Sequence, residues 1–325
     1  MVRRAFIGAL TAGAFASASR AATAQQAGSV RHVGILTAGV LPRTMPSALV
    51  DELRERGWVE GQNLVFERRG GDGNSERVPA LAAELVQMKL DVILSFGAVA
   101  GVALKNATTT IPIVATTGDP VRLGLVSNLS HPGGNITGLS LIAPELAAKR
   151  LELIRELLPK ATLIGELVDP ANIYWQRVRP DYEQAFRVMR MQPLFVEVTN
   201  PGDIEKAIGH IAGRRADALI VRGDPMFYSK RELIGGLAVK HSLPTIAEER
   251  PVAEAGVLMS YGANVSATQR TVASYIDRIL RGAKPADLPI AQPTKFDLVI
   301  NMRTAKAIRL TIPQTLLLRA DEVIQ

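Results

Sequence analysis

The stretch Ile111 to Gly138 reads I-P-I-V-A-T-T-G-D-P-V-R-L-G-L-V-S-N-L-S-H-P-G-G-N-I-T-G. Its opening residues, Ile111 to Ala115, are an apolar, largely β-branched run that predicts a short buried strand. Thr117-Gly118-Asp119-Pro120 turns the chain where that run ends, and His131-Pro132-Gly133-Gly134-Asn135 turns it again. A strand ending in small and acidic residues sets polar groups at its carboxyl end, where open α/β sheets bind ligands. The same residues also suit ordinary turns, because Gly-Asp-Pro and Pro-Gly-Gly supply turn geometry without a ligand.

Upstream, Arg31 to Thr37 predicts a first strand, and a turn at Ala38 to Arg43 leads to a helix that buries Leu49 and Leu53 and stops at Gly57. Leu64 to Arg68 predicts a second strand. Ser75 is an N-cap candidate for a helix running to Met88, with Val78, Leu81, Ala82, Leu85 and Val86 at helical spacing. Leu90 to Phe96 predicts a third strand that passes directly through Gly97-Ala98 into a small-residue helix. Free N–H groups on Gly97, Ala98 and Val99 would make an anion site there; close helix–sheet packing explains the small residues equally well. With Asn135 to Leu141 as a further extended segment, the alternation predicts a doubly wound parallel sheet.

Downstream the grammar repeats. A helix over Pro144 to Leu158 precedes a strand from Ala161 to Asp169, with Tyr174-Trp175 expected in the loop beyond it. A helix through Tyr182 to Met189, a strand Leu194 to Thr199, a helix Asp203 to Gly213 and a strand Asp217 to Val221 follow. Then come a helix ending near His241 and strands Thr245 to Ala247 and Val257 to Gly262. Asp119-Pro120, Asp169-Pro170 and Asp224-Pro225 recur at strand ends. Two doubly wound lobes whose strand ends face each other would enclose one cleft. Asn264 to Arg281 predicts a long amphipathic helix with Val272, Ile276 and Ile279 on one face. The proline-marked linker Lys284 to Pro293 leads to a last strand, Phe296 to Ile300, and a helix, Thr304 to Leu310.

Composition narrows the function. The 325 residues are 47% hydrophobic and 21% charged, a globular balance with room for two domains. Aromatics at 5% leave no tract for stacking nucleic-acid bases. Residues 1–24 read as an export signal: Arg3-Arg4, an apolar stretch to Ser19, and Ala22-Thr23-Ala24 as cleavage site. The apolar run is shorter than the ~20 residues of a membrane span, and Arg3-Arg4 has a twin-arginine flavour. This leader carries Arg3, Arg4 and Arg20 and no acid, so its loss lowers the net charge from +7 to +4. That balance supports no nucleic-acid patch.

Catalytic signatures are missing. There is no H-E-x-x-H, no cysteine, no G-x-S-x-G and no phosphate loop, and His32, His131, His210 and His241 lack ligand spacing. No cofactor, metal or catalytic residue is expected. Asp119, Asp169 and Asp224 could serve as paired carboxylates, although capping a turn before proline explains any one of them. Phe96, Trp175 and Tyr261 are candidates for an apolar cleft wall or for plain core.

Several stretches carry a family resemblance: Gly57 to Leu64 (G-W-V-E-G-Q-N-L), Ala107 to Val121, His131 to Gly138, Lys149 to Leu153 (K-R-L-E-L), Leu258 to Gly262 (L-M-S-Y-G) and Ile279 to Asn301. Together they span nearly the whole chain beyond the leader, in order. The chain resembles the substrate-binding components of ABC transporters, in a family related to tryptophan-binding lipoproteins. The resemblance implies a type I periplasmic-binding fold: two α/β lobes, mainly parallel sheets, a three-strand hinge and a ligand clamped between the lobes. The lobes are expected at 30–139 plus 263–292 and at 140–262 plus 293–325. No lipid-attachment cysteine is present, so a free periplasmic protein is expected.

The expected function is that of a periplasmic receptor delivering a small organic solute, above all an amino acid with aromatic ones included, to an inner-membrane permease, as a monomer. For an amino acid, Gly97 and Ala98 would hold the carboxylate, and Asp119, Asp169 or Asp224 the ammonium. Thr37, Ser95, Thr117 and Gly118 would complete the polar lining, with Phe96, Trp175 and Tyr261 as wall. A receptor feeding a sensor is the nearest alternative, and an exported α/β enzyme the next.

Overall fold

The computed structural model describes residues 30–41, 44–141 and 143–325, with the side chains of 143–145 left aside. The export-signal reading of residues 1–24 lies outside the described residues.

The chain begins with β1 (Arg31–Thr37), α1 (Ser47–Glu55), β2 (Leu64–Gly70), α2 (Val78–Gln87), β3 (Val92–Phe96), α3 (Ala98–Ala107), β4 (Ile113–Thr117) and β5 (Ile136–Ser140). These strands form one sheet in the order β2-β1-β3-β4-β5, parallel throughout. β3 (V-I-L-S-F) and β4 (I-V-A-T-T) are covered on both faces, which explains apolar runs without polar alternation. Val33, Ile35, Leu94 and Val114 point to one core, while Leu36, Ile93, Ile113 and Ala115 point to the other.

Next come α4 (Ala143–Leu157), β6 (Leu163–Val168), α5 (Ile173–Met189), β7 (Gln192–Glu197), α6 (Ile204–Gly213), β8 (Ala218–Val221), α7 (Pro225–Ser229), α8 (Arg231–Lys240), β9 (Thr245–Ala247), α9 (Arg250–Glu254) and β10 (Met259–Ala263). After α10 (Val265–Leu280), the chain ends in β11 (Phe296–Asn301), α11 (Met302–Ala307), α12 (Gln314–Arg319) and β12 (Glu322–Ile324). The second sheet runs β12-β11-β10-β9-β8-β6-β7, with only the β10–β11 pairing antiparallel.

The fold is two doubly wound lobes joined by a three-strand hinge, as the type I reading implies. The chain passes to the second lobe after β5 and returns after β10, and α10 packs on the first sheet beside α1. Val272, Ile276 and Ile279 join Leu49 and Leu53 in that core. Trp58 Nε1 donates to Asp277 on α10 at 2.8 Å. The third crossing runs alongside the others: Ala291 N–H donates to Gly138 O and Ser140 N–H to Ala291 O, each at 2.9 Å. Asn264 caps α10 through Ala267 N–H and also donates to Asp297 at 2.6 Å, fixing the second crossing to the third.

Two local expectations change. Asn74, not Ser75, caps the segment before α2: its side chain accepts from Glu76 N–H, and Ser75–Arg77 forms a 3₁₀ turn. Tyr174-Trp175 lies in the first turn of α5, not in a loop. Asn172 caps that helix through Tyr174 N–H, and the helix continues across Pro180.

Candidate functional site

The carboxyl ends of β1, β3 and β4 meet at the inter-lobe face of the first sheet. Strand register sets Thr37, Phe96 and Thr116 in one row on the α1/α10 side. Ser95 points the other way, toward α3, where a Cβ on Gly101 would stand 3.6 Å from its hydroxyl. The hydroxyls of Ser95, Thr116 and Thr117 are buried and have no hydrogen-bond partner among the described residues. Each such group costs about 1–3 kcal/mol. Thr37 differs: its hydroxyl accepts from Gly39 N–H at 3.1 Å, holding the β1–α1 turn. Phe96 is half-buried against the α1/α10 core.

Gly97 is the N-cap of α3 and adopts φ +86°, a left-handed conformation with open space around its Cα. Its N–H donates to Thr116 O at 2.9 Å, so the expectation of three free N–H groups is corrected. The strand pairing that brings β4 beside β3 takes one of them. Ala98 N–H keeps its place at the helix start, aimed out of the first turn. Gly118 is glycine for a different reason. A Cβ there would lie 2.3 Å from the Tyr174 hydroxyl, contributed by the second lobe.

The three aspartates are each engaged locally. Asp119 accepts from Arg122 N–H at 2.9 Å and lies 3.5 Å from its guanidinium. Asp169 accepts from Ala171 N–H at 2.8 Å, and burial, with the charge of Asp224 added, pushes it up to about 6. Asp224 caps α7 through Met226 N–H and accepts from Asn172 Nδ2 at 2.6 Å; burial raises it too. The structure therefore brings Asp169 and Asp224 together, while Asp119 belongs to the first lobe's turn.

Trp175 lies in the second-lobe core, edge-on to Tyr182 and Phe195 at centroid distances of 6.0 and 5.0 Å. Its neighbour Tyr174 reaches the other lobe instead. Tyr261 is on β10 opposite Leu298, stacked on Phe296, with its carbonyl accepting from Arg150 Nε at 3.0 Å.

Sequence reasoning missed a buried charge network at the second lobe's strand ends. Arg222, at the end of β8, donates to Glu166 at 2.9 Å, and its guanidinium lies over two aromatic rings set edge to face, 3.8 Å from the Tyr182 centroid and 4.6 Å from that of Trp175. Arg150 donates to Glu248 at 2.9 Å, and Tyr182 O–H donates to the same carboxylate at 3.2 Å. Burial alone would raise Glu248, but Arg150 and Arg222 outweigh it and hold its carboxyl below the ordinary range. Burial raises Glu166 by more than Arg222 lowers it, and one Glu166 oxygen has no partner among the described residues. Glu249 is pushed up to about 7 by burial, with Glu248 and Asp224 adding to the effect. One signal was available: Glu166 interrupts the apolar strand L-I-G-E-L-V.

The lobes touch. Tyr174 meets Gly118. Arg122 of the first lobe pairs with Asp181 of α5, and Arg177 donates to Arg122 O at 2.5 Å. A Cβ on Gly39 would lie 3.4 Å from Pro225, and one on Gly73 3.8 Å from the Ser229 hydroxyl. Buried apolar side chains around α2 and α3 form one continuous cluster with those under α4 and α5. Among the described residues, no group of three or more His, Cys, Asp or Glu could hold a metal ion, and no helix is long and apolar enough to cross a membrane.

Two hinged α/β lobes with facing strand ends define a substrate receptor of the type I periplasmic-binding class. More particularly, the chain belongs to the ABC transporter substrate binding protein family, whose profile matches residues 43–324. It is similar to a tyrosine-binding protein of Clostridioides difficile (strain R20291), at 25% identity over 260 residues, covering 80% of this chain and 74% of the relative. A conserved domain protein from Vibrio cholerae O1 biovar El Tor superposes with a TM-score of 0.84 at 28% identity, covering 90% of this chain and 99% of that one. An ABC domain from Streptococcus pneumoniae in complex with L-Trp superposes with a TM-score of 0.83 at 24% identity, covering 91% and 100%.

Proposed function

We propose that this protein is the periplasmic solute receptor of an ABC importer, and that it binds an amino acid, with aromatic ones foremost, between lobes spanning 30–139 plus 263–292 and 140–262 plus 293–325. The observation that carries the reading is the pair of unpartnered hydroxyls of Ser95 and Thr117 at the first lobe's strand ends, beside the start of α3. Ser95 and Thr117 share the α3 side of the sheet, so a carboxylate there meets hydroxyl donors and the positive end of a helix. Gly118 lets Tyr174 approach from the other lobe, so lobe closure and ligand contact coincide. Similarity to tyrosine-binding and L-Trp-bound proteins supports the aromatic class.

Ligand bridging both lobes favours the closed form by its differential affinity, and the closed form engages the permease. The protein acts as a monomer and performs no chemistry on its ligand. Isothermal titration of the exported form with the twenty amino acids tests the proposal. Saturable one-to-one binding of L-tyrosine or L-tryptophan is expected, with the ligand recovered intact. Silence across the whole set would overturn the amino-acid reading.

A further inference from the structure

We infer that the Tyr174 hydroxyl donates to the ligand's α-carboxylate, so that donors from both lobes hold that one group and the cleft latches only on a solute with a free carboxylate. The inference rests on the amino-acid reading above, in which Ser95 and Thr117 meet the carboxylate from the first lobe. Tyr174 is the second lobe's contribution to the same anion. The carboxylate, rather than the aromatic ring, is then the part of the solute that joins the lobes.

Tyr174 stands where such a donor has to be. The tip of its ring, Cζ and the hydroxyl, lies against Gly118 so closely that any Cβ there would clash. Gly118 directly follows Thr117, so the phenol arrives from the second lobe one residue from a first-lobe hydroxyl. All three hydroxyls are on one side of the first sheet. Ser95 pairs with Ala115 in the register of β3 and β4, which sets Ser95, Ala115 and Thr117 on the α3 face. Tyr174 packs in the apolar cluster that contains Ala115, Leu125 and Ala98 at the start of α3. Leu125 and the Ser95 hydroxyl both flank Gly101, 3.0 and 3.6 Å from where its Cβ would stand.

The hydroxyl has no structural use. It is buried, in a residue only 9% exposed, and bonds to no group among the described residues. Phenylalanine would fill the same apolar space without a desolvated hydroxyl, which costs about 1–3 kcal/mol while it stays unpartnered. Ser95 and Thr117 are in the same condition. A phenol, with an ordinary pKa of about 10, is protonated at neutral pH and available as a donor. Three such hydroxyls beside the first turn of α3 suit an anion, because the helix start adds positive potential. A carboxylate has about four lone-pair sites, enough for the three hydroxyls and the Ala98 N–H. Asp119, the nearest acid in the chain, is already engaged by the N–H and guanidinium of Arg122. The Asn172 cap on Tyr174 N–H, at 2.9 Å, ties the phenol to α5, so it moves with the second lobe and reaches the anion only on closure.

The test is Tyr174→Phe, which removes the hydroxyl and keeps the ring. Isothermal titration with L-tryptophan, 3-indolepropionate (no amine) and L-tryptophanamide (no carboxylate), and with the corresponding tyrosine compounds, separates the ligand's groups. The variant should bind the preferred amino acid about tenfold or more weakly, as loss of a hydrogen bond to a charged group gives. The amine-free acid should lose by the same factor. The amide should bind the unaltered protein at least tenfold more weakly than the acid does, and the variant should change that weaker affinity by less than about twofold. An amide silent with both proteins up to millimolar concentration meets the same expectation, since a cleft that needs the carboxylate does not hold it. The melting temperature without ligand should hold or rise, which a merely structural tyrosine would not allow.

Unchanged affinity for the acids in Tyr174→Phe would overturn the inference. So would a loss shared equally by the amide, or an amide that binds the unaltered protein as tightly as the acid. A loss confined to the amide would place the phenol at the ammonium instead. The two readings fail separately. If 3-indolepropionate binds and weakens in the variant while no amino acid binds, the amino-acid reading falls and the carboxylate latch stands. If amino acids bind with affinities that Tyr174→Phe leaves alone, the latch falls and the amino-acid reading stands. A panel silent throughout overturns both.

Discussion

Tyr174 closes onto Gly118 from the opposite lobe, with its hydroxyl 2.3 Å from where a Cβ on residue 118 would stand. No real side chain tolerates that distance, and Tyr174 is held in the first turn of α5 by the Asn172 cap. Gly118→Ala should therefore hold the lobes apart. An affinity loss of about tenfold or more, ~1.4 kcal/mol, is expected for the best-binding amino acid. Solution scattering with ligand present should show a larger radius of gyration than the unaltered protein. Equal affinity and equal radius would mean that the tyrosine yields instead.

Ser95→Ala and Thr117→Val separate binding from stability. Both hydroxyls are buried without partners, so removing them deletes an uncompensated desolvation cost. The melting temperature without ligand should hold steady or rise. Affinity for the ligand should drop several-fold, because the carboxylate loses its donors. A lower melting temperature with unchanged affinity would assign these groups to folding alone.

Salt should weaken closure slightly. The Arg122–Asp181 pair joins the lobes, but its side chains are 39% and 37% exposed, so it is worth at most about 1 kcal/mol. Asp181→Asn should cost less than about fivefold in affinity. It should also flatten the dependence of affinity on ionic strength, since an exposed pair is screened by salt. Titrations at low and high salt on both proteins would detect the difference; parallel salt curves would show that the pair does not contribute.

Stability should fall as pH rises. Asp169 is held up to about 6 and Glu249 to about 7, both above the values near 4 expected in the unfolded chain. Between those limits the folded state binds more protons than the unfolded state, so ionising these groups destabilises the fold. The melting temperature should decline from about pH 5 to about pH 8, and the double variant Asp169→Asn with Glu249→Gln should decline less. Matching profiles for the two proteins would exclude these carboxyls as the cause.

Much of the fold was legible because burial leaves a local trace. β1 runs from Arg31 to Thr37 as the apolar run indicated, and Val272, Ile276 and Ile279 share the α10 face that their spacing predicts. The site was less legible, because its decisive relations are not local. Glu166 and Arg222 are 56 residues apart, and Arg150 and Glu248 98 apart. Nothing along the chain couples such pairs. Asp119, Asp169 and Asp224 stand out locally for the reason that they act locally, as turn and helix caps. The Tyr174-Trp175 pair shows the finest ambiguity. Neighbours on a helix point about 100° apart, so where α5 begins decides which ring reaches the cleft, and it begins one residue before Tyr174.

The placement of α10 bears on how the molecule is made. Val33, Ile35, Leu94 and Val114 lie early in the chain, but the helix that covers them spans Val265–Leu280. A growing chain that has finished all five strands of the first sheet still presents to solvent the part of one apolar face that α1 leaves uncovered. That lobe cannot be completed as an independent unit during synthesis. It must wait for the second lobe's strands through β10 to be threaded in between. The segments that later open and close around the ligand are thus also what makes each lobe's assembly conditional on the other's.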